Sequence, residues 1–179
     1  MKFVSTPLEG AFIVEPELLE DERGSFARSF CQEEFRAHGL DPVVAQCNIS
    51  FNRRRGVLRG LHYQLKPHEE AKLVRCTRGA IWDVIVDLRE GAATRYRWFA
   101  TELTVDNRRA LYIPKGFAHG FQTLADDSEV FYQMSEFYHP ESARGIRWND
   151  PAIGIAWPLA NPLVSLRDQS YPLIEREAS

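Results

Sequence analysis

Glycine and proline interrupt this chain so often that its apolar runs are all short. The 179 residues include eleven glycines and ten prolines. The apolar runs between them have the length of β-strands rather than of long helices. In the clearest run, Ala80–Leu88, apolar side chains fall on both faces of the extended segment. The pattern predicts an all-β protein built as a sandwich or a barrel.

The strands are predicted to follow one another in hairpin order. Their predicted bounds are residues 10–14, 25–30, 44–50, 72–77, 80–88, 98–105, 109–113, 128–138 and 145–148. We expect residues 72–77 to be joined to 80–88 at Arg78–Gly79, and residues 98–105 to pair with 109–113 around Asp106–Asn107. Such a chain must protect its sheet edges, and a jelly roll of the cupin kind (a double-stranded β-helix) with short peripheral helices fits best.

Helix is predicted at only two places. Ser29–Gly39 has a capping serine, a glutamine three residues later and a terminal glycine. A capped helical turn is predicted at Ser165–Asp168. Because the chain has no linker, repeat or low-complexity tract, we expect one domain over residues 1–179.

The bulk composition predicts a soluble cytoplasmic protein. The formal net charge of -3 indicates neither nucleic acid nor an anionic membrane as a partner. The N-terminus lacks the apolar run of a signal peptide, and no stretch has the length of a transmembrane helix. Three widely spaced cysteines predict neither a disulfide framework nor a zinc site, and are typical of a reducing compartment.

Two segments place titratable side chains within this apolar context. One is Arg59–Gln64, with Lys72 shortly after it, and the other is Pro114–His119, expected on a tight turn. In addition, the alternation at residues 44–50 puts three polar side chains on one face. Buried polar groups cost free energy unless they are paired or used. These segments therefore indicate proton chemistry around a polar cavity in the mouth of a β-roll.

A catalytic metal is not expected. Cupins often hold a metal through a GxxxxxHxH motif and a PxGxxH motif. This chain has the second motif at Pro114–His119, but His62-Tyr63-Gln64 stands where the paired histidines would be, and Thr123 stands where an asparagine would follow. Two separated histidines without a carboxylate companion make a poor transition-metal site.

Longer segments of the chain are similar to a known family. The run Gly56–Gln64 resembles the signature of dTDP-4-dehydrorhamnose 3,5-epimerase, and the similarity continues in order through Ile81–Arg89, Ile113–Phe121, Tyr132, Tyr138, Gly145–Pro151 and Ser165–Asp168. The resemblance implies a cupin-type homodimer that needs neither metal nor organic cofactor. It implies epimerisation of the carbons that flank the ketone of a nucleotide-linked 4-keto-6-deoxy sugar, with rhamnose biosynthesis as the default pathway.

The same resemblance assigns the chemistry to four residues. A proton beside a ketone becomes removable when the forming enolate is stabilised, so the site needs a base, a cation and an acid on the opposite face of the ring. By resemblance, His62 is the base and Asp168 is its carboxylate partner. Lys72 looks like the enolate stabiliser, and Tyr132 looks like the general acid.

The remaining family positions are expected to bind substrate. They are Arg23, Phe26, Gln46, Asn48, Arg59, His119, Tyr138 and Arg167. Tyr138 matches the aromatic residue that stacks on the nucleobase. Phe26 is expected to add to that wall, either in its own subunit or in the partner subunit. Asp83 shares a strand face with two isoleucines, and we expect it to be buried and to help position the base or the lysine.

Two positions depart from the family pattern and leave the nucleotide open. Arg28 and Ala143 both stand where the family usually carries a nucleotide-binding glutamate. Either the substrate carries another nucleotide, for example CDP, or both glutamates are replaceable contacts at the rim. A sugar-nucleotide 3,4-ketoisomerase, a metal cupin oxygenase and a non-catalytic sugar-binding module are the rival functions.

Each catalytic candidate also has a purely structural alternative. His62 could be a core histidine, and Asp168 also suits the cap of a helical turn. Tyr132 and Tyr138 could be strand aromatics of the core. Lys72 follows two glutamates and could belong to a surface ion pair, which contributes little to stability.

Overall fold

The computed structural model describes residues 1–174, which form fourteen β-strands and two short helices. In chain order these elements are β1 Lys2–Ser5, β2 Phe12–Glu15, β3 Leu19–Asp21, β4 Gly24–Phe26, α1 Gln32–Ala37, β5 Gln46–Asn52, β6 Val57–Gln64, β7 Lys72–Arg78, β8 Ala80–Asp87, β9 Trp98–Thr104, β10 Ala110–Ile113, β11 Phe117–Thr123, β12 Ser128–Met134, β13 Ala143–Gly145, β14 Leu163–Val164 and α2 Leu166–Ser170.

Two sheets make up the roll. The first has the strand order β1-β2-β10-β7-β12-β5, and the second has the order β13-β6-β11-β8-β9, with β14 added in parallel beside β6. Strands β3 and β4 form a separate hairpin. The predicted all-β, cupin-type jelly roll is confirmed.

The predicted hairpin order is wrong at two places. Strands β7 and β8 follow each other through Gly79, yet β7 pairs with β10 and β12, whereas β8 pairs with β9 and β11. Strands β9 and β10 likewise lie in different sheets. In both cases the chain crosses from one sheet to the other. A turn dipeptide marks where the chain reverses, but not whether the next strand pairs with the last one or crosses the core.

Strand β8 is buried on both of its faces, as its sequence indicates. Ile81 and Ile85 point into the core between the two sheets. Val84 and Val86 lie in a second cluster that is covered by residues following β13, among them Ile153. This double burial fixes β8 and therefore the neighbouring strand β11, which carries His119.

Helix α1 differs from its prediction at its start. It begins at Gln32 with Cys31 as N-cap and no side-chain capping bond, whereas the backbone oxygen of Ser29 accepts a hydrogen bond from Arg75. Packing rather than capping holds this helix, because Phe35 is buried in an aromatic cluster. The predicted end is close, since Gly39 follows the helix with a φ of +70°.

The predicted capped turn near the C-terminus is confirmed as α2. Ser165 is its N-cap, and the Ser165 hydroxyl accepts a hydrogen bond from the backbone N–H of Asp168 at 3.1 Å. His119, by contrast, does not sit on a tight turn but within β11. Across residues 1–174, neither helix is long and apolar enough to cross a membrane.

Candidate active site

A cavity of about 600 Å³ opens between the two sheets. Nine of the side chains predicted from the sequence line it: Gln46, Asn48, Arg59, His62, Lys72, His119, Tyr132, Tyr138 and Arg167. They come from β5, β6, β7, β11, β12, α2 and the segment after β12. The roll therefore gathers, in one hollow, residues that are spread over more than 120 positions of the chain.

His62 is paired with Asp168, as predicted. The His62 Nε2 atom lies 2.8 Å from Asp168 Oδ1, and the backbone N–H of Gly60 donates to Asp168 Oδ2 at 3.2 Å. An ionised carboxylate only accepts hydrogen bonds, so Nε2 carries the proton and the lone pair of neutral His62 is on Nδ1. Asp168 is buried, whereas the His62 side chain is 43% exposed. Nδ1 is therefore the atom available as a base.

The charge of Asp168 is secured by these contacts. Burial by itself would raise the pKa of the Asp168 carboxyl, but the hydrogen bonds from His62, Gly60 and Ser165 outweigh it and hold that pKa below its ordinary value. The aspartate thus serves both of its predicted purposes. It accepts a hydrogen bond from the imidazole, and its backbone N–H completes the cap of α2.

Two glycines let the strands that carry the histidines approach closely. Gly60 has a φ of +128°, and a Cβ placed there would lie 2.6 Å from the Cα of Gly120. A Cβ on Gly120 would lie 2.7 Å from the backbone oxygen of Arg59. The strands β6 and β11 are paired here, with His62 directly opposite His119 and a register shift just beyond. Both histidines thereby reach the same cavity.

Asp83 is buried, as expected, but its partner is not the one predicted. Its Oδ1 atom lies 2.7 Å from His119 Nε2, so it orients His119 rather than His62 or Lys72. The reason is register: Asp83 on β8 is opposite Phe121 on β11, two residues along that strand from His119. The two histidines therefore have separate carboxylates.

Lys72 is held by a neighbour that the sequence reasoning treated as surface. Its Nζ atom lies 2.9 Å from Glu70 Oε1, and the two side chains are 8% and 3% exposed. A longer contact of 3.5 Å joins Nζ to the backbone oxygen of His62. The pair is thus a buried ion pair in the cavity wall, and the surface alternative is wrong.

Tyr132 is a half-buried phenol in the wall of the cavity. It lies on β12 opposite Asn48 of β5, packs against the core between the sheets and lines the cavity. Burial raises the pKa of the Tyr132 phenol, and the nearby charge of Arg59 offsets only part of that effect. The phenol therefore keeps its proton at neutral pH, as a general acid requires.

The outer part of the cavity is polar and aromatic. The backbone N–H of Tyr138 donates to Gln46 Oε1 at 3.0 Å. The hydroxyl of Tyr138 is the main cause of the raised pKa of Arg167. Arg59 donates from Nε to Asn52 Oδ1 at 2.8 Å, which orients its guanidinium. An aromatic ring beside guanidinium groups suits a base and its phosphates.

Two predicted binding residues do not line the cavity of their own chain. Arg23 pairs with Asp21 on the β3–β4 hairpin, and Phe26 ends that hairpin with 71% of its surface exposed. Of the two positions that depart from the family pattern, Ala143 lines the cavity. Arg28 forms an ion pair with Glu34 instead.

Three side chains in residues 1–174 approach the arrangement of a metal site, away from the histidines of the cavity. Ligand atoms of His68, Glu136 and His139 lie within 4.8 Å of one another. However, the two imidazoles are stacked, with centroids 3.5 Å apart and planes 13° from parallel. Lone pairs lie in the ring planes, so one ion cannot face both nitrogens unless the rings splay apart. We assign no metal to this group.

Among the cavity residues that sequence reasoning missed are Glu70, Gln64 and Arg144. Gln64 ties two loops together, because its amide donates to the backbone oxygens of His68 and Phe137 and accepts from the N–H of His139. Its place in the run Arg59–Gln64 was a usable signal, since it follows His62 by two residues in one strand.

Known proteins resemble this chain over nearly its whole length. The family model described as dTDP-4-dehydrorhamnose 3,5-epimerase matches residues 5–176. An enzyme of that name from Methanothermobacter thermautotrophicus is 46% identical over 178 residues, which are 97% of this chain and 95% of the relative. The crystal structure of such an epimerase from Bacillus anthracis, with TDP and PPi bound, superposes with a TM-score of 0.93 at 39% identity, covering 97% of this chain and 99% of the other.

The chain also matches a structure that is named a monoepimerase rather than a 3,5-epimerase. A 3'-monoepimerase from Streptomyces bikiniensis, solved in complex with dTDP-quinovose, superposes with a TM-score of 0.86 at 38% identity, covering 94% of this chain and 85% of the other. The β-roll and its cavity of acid–base groups thus define a cupin-type isomerase of the sugar-nucleotide epimerase class. More particularly, the chain belongs to the dTDP-4-dehydrorhamnose 3,5-epimerase family.

Proposed function

We propose that this enzyme epimerises carbon 3, carbon 5 or both in a nucleoside-diphosphate 4-keto-6-deoxy sugar, through an enolate. The observation that carries the proposal is the convergence of His62, Lys72 and Tyr132 on one cavity. A base, a cation and a protonated phenol are the three groups that such a reaction needs.

The reaction follows from the geometry of these groups. His62 Nδ1 removes the proton beside the ketone, and the Asp168 carboxylate stabilises the imidazolium that forms. The Lys72 ammonium donates a hydrogen bond to the developing oxyanion at carbon 4. Tyr132 then gives its proton to the opposite face of the carbon, which inverts the centre. His62 then releases its proton to solvent and Tyr132 takes one up. Where the second centre reacts, the same groups serve it after the ring has re-bound or turned.

The remaining cavity residues hold the substrate in place. Arg59 and His119 contact the diphosphate and the sugar, with Asp83 keeping His119 oriented. Arg167, Gln46 and Asn48 support the nucleotide end, and Tyr138 stacks on the base. A guanidinium donates two hydrogen bonds at once to a phosphate, which suits Arg59 to that place.

We further propose a homodimer, with residues 1–179 of each chain forming one domain. Its support is a set of exposed apolar side chains on two elements: Leu19 and Phe26 on the β3–β4 hairpin, and Ile49 and Phe51 on the edge strand β5, are exposed by 69%, 71%, 65% and 44%. An exposed apolar edge strand is a natural site for pairing with a second chain. In such a dimer Phe26 and Arg23 would enter the partner's cavity.

The cytoplasm is the proposed location, in the pathway that supplies dTDP-rhamnose. The three cysteines, all within the described residues, are unpaired. Free thiols, one of them exposed, suit a reducing compartment.

A second candidate function differs from the first in the nucleotide that the substrate carries. Ala143 lines the cavity where the family usually has a glutamate, so the site offers one fewer hydrogen-bond acceptor. A site that lacks a partner for a polar group of the ligand rejects that ligand. This favours a sibling activity on another activated sugar, for example one linked to CDP. The 3,4-ketoisomerase alternative has no such observation of its own.

A substrate panel tests the proposal and its second candidate together. Turnover of dTDP- and CDP-linked 4-keto-6-deoxyglucose is followed by NMR with assignment of product stereochemistry. Inversion at carbon 3 or 5 with the ketone still at carbon 4 is the expected result. A strong preference for dTDP removes the sibling candidate, whereas a carbonyl that has moved along the ring overturns the epimerase assignment. Ala143→Glu should raise the affinity for the dTDP-linked sugar if residue 143 contacts the nucleotide.

A further inference from the structure

Glu70 lies beside the proposed enolate stabiliser and is not used by the mechanism above. It precedes Lys72 by two residues and lies just before β7 begins. Both line the cavity, and Glu70 Oε1 lies 2.9 Å from Lys72 Nζ. Burying a charged carboxylate that is only 3% exposed costs free energy unless it is paired with an opposite charge.

The contacts of the ammonium show what Glu70 does to Lys72. A protonated lysine has three N–H donors. One faces Glu70 Oε1 at 2.9 Å, and another faces the backbone oxygen of His62 at 3.5 Å. The third is left for a ligand in the cavity. Two fixed acceptors on the protein side therefore determine the direction of the remaining donor.

The burial of the ion pair makes each of its two charges depend on the other. A buried charge is costly unless an opposite charge lies next to it. The other oxygen, Glu70 Oε2, is buried and has no hydrogen-bond partner among residues 1–174. Asp168 differs, because it uses both of its oxygens. Among the described residues, the ion pair with Lys72 is thus the contact that holds the Glu70 carboxylate in place.

We propose that Glu70 is a positioning residue that holds the ammonium group of Lys72 aimed at the carbonyl oxygen of the bound sugar. The inference rests on the proposed function of Lys72 and extends it by one residue. It concerns the chemical step rather than substrate affinity, since Glu70 reaches the reacting atoms only through the ammonium.

The kinetic test replaces Glu70 in the full-length enzyme. Glu70→Gln keeps the shape and loses the charge. Its kcat should fall by ~10- to 100-fold, up to the loss that follows removal of one preorganised donor, while KM stays close to that of the wild type. Glu70→Asp keeps the charge and should retain more activity than Glu70→Gln. The control is Glu69→Gln, the preceding residue, which in the described structure does not line the cavity. A Glu70→Gln enzyme with unchanged kcat overturns the proposal.

A double-mutant cycle with Lys72→Met supplies a second measurement. If Glu70 acts through the ammonium, adding Glu70→Gln to Lys72→Met should lower kcat no further. In urea unfolding, the double variant should be more stable than the sum of the single effects predicts, because neither charge is left buried alone. If the effects of the two substitutions are additive in both kcat and unfolding free energy, the two residues do not act as a pair and the proposal is overturned. The stability arm remains decisive if the wild type fails to turn over any epimerase substrate, a result that would reject the proposed function instead.

Discussion

His62 and His119 face each other across the paired strands β6 and β11, yet each imidazole is bonded to a different carboxylate. Asp168 approaches His62 from α2, and Asp83 approaches His119 from β8. Both rings use Nε2 for this contact, which leaves Nδ1 as the basic atom of each. The cavity thus contains two oriented imidazoles with different exposure: the side chain of His62 is 43% exposed, and that of His119 is 10% exposed. The more open one is the better candidate for the base.

Replacing Asp168 with asparagine should slow the reaction with little change in the cavity's shape. An amide can donate to Nε2, which would place the imidazole proton on Nδ1, where the lone pair is needed. We expect kcat to fall by ~10²- to 10⁴-fold, the range over which a general base contributes. Steady-state kinetics check this. Ser165→Ala is the control: it removes the cap of α2 and should cost about 1 kcal/mol of stability with most activity retained.

The stability contributed by Asp168 should depend on pH in a defined direction. Its pKa is lowered in the folded state, so its contribution is fully present above the unfolded-state value of ~3.9 and is lost as the pH falls through the folded value. The difference in unfolding free energy between wild type and Asp168→Asn should therefore be constant near neutral pH and shrink below about pH 4. Urea unfolding across this range measures it, with Asp106→Asn on an exposed turn as control. A difference that grows in acid contradicts the assignment.

Tyr132→Phe should separate proton removal from inversion. The ring still packs against the core, but the phenolic proton is lost. His62 can remove the proton and return one from solvent to the same face, so deuterium should enter the sugar with its configuration retained. Inversion should fall by ~10²-fold or more. NMR in deuterated water distinguishes exchange from inversion. Inversion at the wild-type rate would remove Tyr132 from the mechanism.

Gly60 and Gly24 form a matched pair for testing the close approach of β6 and β11. Their φ angles are +128° and +130°, but a Cβ on Gly60 meets Gly120 Cα at 2.6 Å, whereas a Cβ on Gly24 meets no heavy atom of the described chain within 4 Å. Both alanine variants should lose about 1–3 kcal/mol through backbone strain. Gly60→Ala should lose a further ~1–3 kcal/mol through overpacking, and activity with it. Equal unfolding free energies and equal activities for the two variants would show that the approach does not matter.

Some parts of this molecule could be predicted from its sequence, and others required the structure. The burial of both faces of β8 could be predicted because apolar residues occupy both of them. The sheet crossings at Gly79 were not, because local turn chemistry says nothing about which sheet receives the next strand. His62, Lys72 and Tyr132 were found through family motifs, and the structure places all three in one cavity.

The partners of these residues were harder to predict than the residues themselves. The contact between Asp83 and His119 depends on the register of β8 against β11, which no local pattern encodes. Glu70 looked like a surface residue because charged residues in loops usually are. Its burial follows only from the way the segment before β7 lies along the cavity.

The most direct test of the account is isotope exchange from solvent in wild type and His62→Ala. Each enzyme is incubated with dTDP-4-keto-6-deoxyglucose in deuterated water and followed by NMR, with His38→Ala as a surface histidine control. The account predicts deuterium at carbon 3, carbon 5 or both in the wild type and in the control, with the ketone kept at carbon 4, and a rate lower by ~10³-fold or more in His62→Ala. Undiminished exchange in His62→Ala would contradict it.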